Sequence, residues 1–133
     1  MGQQQLLLIV LGVIVVGIAV VVGINLFNAN AVSSNRDAVV SDLNNLGAMA
    51  QQHYKKPASM GGGANSFSNA NGGTAWSIPT QLDTTANGTY GATVNDQSVI
   101  IVGTGTEVGN NGTANVQATA TVTPTSITVA INN

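Results

Sequence analysis

Apolar positions follow three successive patterns along this chain. In residues 6–24, "LLLIVLGVIVVGIAVVVGI", nineteen positions pass without one polar side chain. As a helix that stretch measures about 28 Å at ~1.5 Å per residue, close to the ~30 Å hydrocarbon core of a bilayer. Residues 25–31, "NLFNANA", turn polar but contain no proline. Val32, Val39, Leu43, Leu46 and Ala50 then recur at spacings of three, four and seven, which places them along one face of a helix. Asp37 and Asp42 come early in this stretch, and His53, Lys55 and Lys56 come late, the order a helix dipole favours. Pro57 stops a relaxed continuation. The pattern predicts one helix from Gln3 to about Tyr54, a rod of roughly 75–80 Å. It is apolar all round in its first half and amphipathic in its second.

Residues 57–80, "PASMGGGANSFSNANGGTAWSIPT", hold two prolines and five glycines among clustered Asn and Ser. They read as a flexible connector pinned by Trp76 and Ile78. No P-loop Lys-Ser/Thr pair or dinucleotide fingerprint accompanies the glycines. From residue 85 the period becomes two. Tyr90, Ala92 and Val94 alternate with Thr89, Gly91 and Thr93, and "SVIIVGT" is a short apolar strand. Val116, Ala118, Ala120 and Val122 face one way with Gln117, Thr119, Thr121 and Thr123 opposite, and Ile127, Val129 and Ile131 repeat the alternation. Turn signals at "VNDQS", "VGNNG" and "TPTS" separate these runs, so four consecutive antiparallel strands form a meander with one apolar face and one Thr-rich face. The only available cover for the apolar face is the stripe on residues 32–54. The expected fold is α+β, its core shared by Val39, Leu43, Leu46, Val99, Ile101, Val116, Val122, Ile127 and Val129. The chain divides into 1–31, a hydrophobic helix; 32–56, the amphipathic part of the same helix; 57–84, a connecting loop; and 85–133, the sheet.

Composition sharpens this picture through what is scarce. Charged residues are 6% of the chain, with three basic and five acidic side chains and a net charge of −2, against roughly a quarter charged in ordinary domains. Nothing here suits nucleic acid. A neutral surface of Asn, Gln, Ser, Thr and Gly fits dense packing against copies of the same chain, where charges would need pairing or desolvation. The absence of cysteine removes disulfides, thiolate zinc sites and c-type haem attachment. The first charged residue is Arg36, so the apolar tip lacks both the basic flank of a signal peptide and the cytoplasmic Lys/Arg that orient a plain anchor.

A half-apolar, half-amphipathic N-terminal helix, then a loop and a small antiparallel sheet, resembles a type IV pilin or the related pseudopilins. The apolar tip, "AVVSDLNNLGAMAQQHY" and the C-terminal meander carry the resemblance over nearly the whole chain. It implies a structural subunit, a major pilin, in an extracellular helical filament. Subunits of that family wait in the inner membrane, are processed and N-methylated by a prepilin peptidase that removes a short basic leader, and are raised into the filament by an assembly machinery. Their partners are therefore further copies, that machinery, and the membrane before assembly. Leu6, Leu8, Ile9, Leu11, Val13, Val16, Ile18, Val20, Val22 and Ile24 are then the polymerisation core. Gly12, Gly17 and Gly23, among β-branched residues, are sites where the helix can flex or unwind on assembly. If Met1 is the mature first residue, Gln5 stands where the family has a glutamate that neutralises a neighbour's N-terminal amine; if Gln3 comes first, Leu7 stands there. An amide accepts an ammonium hydrogen bond without cancelling its charge, which makes Gln3 and Gln5 the candidate amine partners. The pseudopilin of a type II secretion system is the alternative within the family. A membrane-anchored binding module is the alternative outside it.

Other chemistry is thin. His53 is the only histidine, so a Ser-His-Asp triad has a single possible centre, and its place beside Tyr54 and Lys55 reads as a helix-end cation. The expectation is no catalytic residue and no cofactor. Asp83, Asp96 and Glu107 fall in or near turns as calcium candidates, without Asp-x-Asp-x-Asp spacing. Asn87-Gly-Thr and Asn111-Gly-Thr are glycosylation sequons, and Asn-Gly is equally the favoured hairpin turn.

Overall fold

The computed structural model describes residues 2–133; Met1, and with it the reading of Met1 as the mature first residue, lies outside the described residues. The fold is α+β, one long helix packed on an antiparallel sheet. Helix α1 spans Gln3–Lys55 without interruption. It ends where Pro57 requires extended backbone before it, at Lys56 (ψ 135°). The strands are β1 (Thr84–Thr85), β2 (Gly88–Val94), β3 (Val99–Val108), β4 (Asn115–Val122) and β5 (Ile127–Ile131). They form a five-stranded meander in sequence order, every neighbour antiparallel. The sheet thus has one strand more than the four expected. The extra one, β1, is a two-residue edge, too short for its alternation to register in the sequence.

Register explains how the sheet receives the helix. Ala92, Ile101, Ala120 and Val129 stand in one row across β2 to β5, and Val94, Val99, Val122 and Ile127 in another. Val39, Leu43, Leu46 and Ala50 of α1 join Val99, Ile101, Ala118, Ala120 and Val122 in the buried core, and Ile127 and Val129 pack against it half-buried. Val116 is fully buried as well. Two glycines set the approach of helix to sheet. A Cβ on Gly47 would stand 3.0 Å from Ile127 Cδ1, and one on Gly103 would stand 2.9 Å from Val39 Cγ1. The opposite face presents Thr89, Thr93, Thr104, Thr119, Thr121 and Thr128 with Ile100 and Val102.

The segment read as a flexible connector is packed instead. A helix leaves its last carbonyls without intrahelical partners, and this loop supplies them. Gly63 N–H donates to His53 O (2.9 Å), Asn65 N–H to Tyr54 O (2.8 Å) and Ala64 N–H to Lys56 O (3.0 Å). Ala64 and Asn65 adopt left-handed φ of 53° and 63° to make this turn. Phe67 is then driven into the core at 0% exposure, against Tyr54 with ring centroids 4.9 Å apart. Trp76 is buried and Ile78 half-buried, which closes the loop over the end of the helix.

Candidate functional site: the uncovered half of the helix

Below residue 32 no described residue folds back on α1. Leu6, Leu8, Ile9, Leu11, Val13, Val16, Ile18, Val20, Val22 and Ile24 are each between 54% and 69% exposed, and Phe27 reaches 78%. In an isolated helix the remainder is covered only by the helix itself, so these side chains are bare on every side. By length and composition the segment is able to cross a membrane. Gly12, Gly17 and Gly23 lie within unbroken helix, and a Cβ on any of them would meet nothing within 4 Å. Gln3 and Gln5 are exposed on its first turn.

Covering such a segment is strongly favourable, because burial of each Val, Leu or Ile contributes about 1.5–3 kcal/mol when complete. A single partner helix would cover one stripe and leave the rest in water. An all-round apolar helix calls for an all-round apolar environment, which lipid or a bundle of several helices provides. The three glycines, with Ala19, are where another backbone could come close.

The base of the head fixes how this rod is held. Asn35 Nδ2 donates to Asn87 O (2.8 Å), while Asn35 Oδ1 accepts the N–H groups of Thr106 (3.1 Å) and Glu107 (3.3 Å). Two helix turns beyond Asn35, Asp42 Oδ2 accepts from Tyr90 Oη (2.5 Å), Asn87 Nδ2 (3.1 Å) and Thr85 Oγ1 (3.3 Å). Burial, reinforced by the hydrogen bond to Asp42 and its charge, pushes the Tyr90 phenol well above its usual range. These side chains lock the β1–β2 turn to the helix. They went unnoticed in the sequence because a polar knot carries no periodicity; its one visible trace is Asp42 on the flank of an apolar stripe.

The remaining candidates are dispersed. Asp83 is half-buried and its carbonyl accepts Tyr90 N–H (2.8 Å). The Asp96 carboxylate is taken by Ser66 Oγ at the other end of the head, and Glu107 is exposed on β3. Among the described residues no three His, Cys, Asp or Glu side chains gather to hold a metal ion. Asn87 Nδ2, the atom a glycan would occupy, is engaged by Asp42. Asn111 is exposed in the β3–β4 turn, where its Oδ1 accepts from the N–H groups of Thr113 and Ala114. His53 Nε2 donates to Thr74 O (2.6 Å). It lines an open groove of ≈ 420 Å³ with Met49, Gln52, Lys56, Thr74 and Trp76.

Compared with known proteins, the chain matches no family model, no curated protein sequence and no solved structure. The functional reading therefore rests on the geometry of this molecule and on the resemblance its pattern carries.

Proposed function

We propose that this chain is a structural subunit of a type IV pilus-like filament, held in a membrane by residues 6–24 and polymerised through the same residues at the cell surface. The observation that carries the reading is the coupling of two halves in one continuous helix: a bare, wholly apolar half rigidly extending a half that is built into a small head. Lipid covers the bare half before assembly and neighbouring helices cover it afterwards. The near-absence of charge supports the second environment, since a crowded polymer surface leaves little room for unpaired ions. Major pilin and secretion-system pseudopilin share this architecture, and the role of Gln3 and Gln5 in meeting a neighbour's amine belongs to either.

The test uses the full chain purified in detergent. On detergent removal it is expected to form thin filaments visible by electron microscopy, while deletion of residues 6–24 leaves a soluble monomer with a folded head. Full-length chain that stays monomeric in lipid and out of it, under all conditions, would sink the reading.

A second reading is favoured by the groove beside Trp76: a membrane-anchored module that captures a ligand with its head. It predicts a stable monomer whose Trp76 fluorescence responds to a bound molecule. Polymerisation of the wild-type chain without any added ligand argues against it.

A further inference from the structure

The head's charges are few enough to follow singly, and they are sorted along the axis of α1. At the end nearest the bare half-helix, Asp37 is exposed on α1. Glu107 lies at the same level, since its N–H donates to Asn35 Oδ1, and its side chain is exposed. Arg36 shares this collar but is turned into the head. Its Nη2 donates to Asn110 Oδ1 (3.0 Å), and its Nε is buried without a partner among the described residues. At the far end Lys55 and Lys56 are exposed. Asp96 lies at this end as well, exposed, with its carboxylate accepting from Ser66 Oγ. Between the two ends, Asp42 is tied to Tyr90, Asn87 and Thr85, and Asp83 is half-buried beside β1. The exposed charges are therefore acidic at one end of the head and, with two lysines against Asp96, basic on balance at the other, about 27 Å apart along the helix at ~1.5 Å per residue.

We propose that copies of this chain stack head on head, with Lys55 and Lys56 of one copy facing Asp37 and Glu107 of the next. The proposal rests on the polymer reading above and adds the register of the polymer to it. A second copy is the occupant the charges select, because each copy carries both members of the pair at opposite ends. The contact is head-to-tail, and because each parallel copy is shifted along the axis it propagates without closing. Parallel copies shifted by roughly one head length bring opposite charges together. Parallel copies without a shift, and antiparallel copies meeting end to end, set like charges against each other, and such juxtapositions are what electrostatic specificity penalises. The groove beside Lys56 gives the next copy's collar a recess at that same end. Exposed ion pairs contribute little individually. Apolar contacts between the half-helices, which run parallel in the proposed polymer, supply the affinity, and the charged ends choose the stagger.

The experiment compares assembly of four full-length chains after detergent removal: wild type, K55E/K56E, D37K/E107K, and all four substitutions together. All four positions are exposed, so the melting of each head in detergent is expected to match wild type. Each single-end reversal is expected to raise the protein concentration needed for filaments at low salt by about tenfold. The fourfold chain is expected to return close to wild type, and about 0.5 M salt to narrow the differences, because it shortens the reach of exposed charges. Reversals that assemble like wild type would overturn the stacking, and so would a fourfold chain that melts normally without recovering. Those outcomes leave the polymer reading intact. Failure of the wild-type chain to assemble removes the polymer reading, and the stacking with it.

Discussion

Residues 6–24 and residues 36–55 belong to one α-helix, yet the same kinds of side chain meet opposite fates in them. Ile9 is 57% exposed and Leu43 is 0% exposed, although both are large aliphatic residues on unbroken helical backbone. The upper half has one apolar stripe because the head offers one apolar face, and its other side carries Asp37, Ser41, Asn44 and Lys55 for water. The lower half has no polar side, as suits surroundings that are apolar in every direction. Its many Val and Ile residues are modest helix formers, so in water that half borrows its order from the rod above it. The upper half is stabilised by contacts within one chain; on the proposed function, the lower is covered by lipid or other copies.

The largest expected effect comes from making the lower half resemble the upper. Val16→Asp places a carboxylate at the centre of the apolar segment, which costs about 2.5–3.5 kcal/mol on an insertion scale. Membrane retention and filament formation are both expected to be lost, while the head melts at the wild-type temperature. Fractionation and a thermal melt of the same preparation check this, and a head that loses stability along with the membrane would show the halves to be coupled. The converse change acts on the upper half. Leu43→Ala removes a fully buried side chain between α1 and the sheet, an expected loss of about 2–5 kcal/mol. Urea denaturation of the head should move accordingly, with the chain still partitioning into detergent micelles.

The same comparison accounts for what could be read without coordinates. Both halves of the helix and the four longer strands were legible, because each repeats its signal over several residues: all-apolar, period 3.6, then period two. The bare half was legible as an all-apolar helix for the same reason. What escaped was the loop over the helix end. Phe67 stands alone among Ser, Asn and Gly, and no periodicity marks it as core. Its burial follows from hydrogen bonds between loop N–H groups and the carbonyls of His53, Tyr54 and Lys56, a match between two segments that neither announces by itself. Composition suggested flexibility where the glycines instead permit tight approach, as at Gly63, where a Cβ would overlap the Ser66 carbonyl. Asn35 and Asp42 escaped similarly, since their partners lie more than forty residues away in sequence.

The smallest expected effect tests how firmly the upper half is tied, through the bond from Tyr90 Oη to Asp42 Oδ2. Tyr90→Phe keeps the ring in the core and deletes that one donor, leaving Asp42 with Asn87 and Thr85. A hydrogen bond to a charged group contributes about 1.5–3 kcal/mol, and the two remaining donors should bring the loss toward the lower end. The pH dependence carries the sharper signature. An unfolded chain releases the tyrosine proton near pH ~10, whereas the folded head holds it to higher pH because burial and the Asp42 carboxylate both disfavour the phenolate. Below ~10 both states keep the proton and the contribution is whole. Above it the unfolded state binds fewer protons than the folded one, so stability falls as pH rises toward the folded-state value. Other groups that titrate at alkaline pH act in both chains, and the wild-type-minus-Phe difference isolates Tyr90. That difference in urea midpoint is expected to be constant through neutral pH and to shrink above ~10; a difference that stays flat into alkali would mean that the phenol is not the group that ties the sheet to the helix.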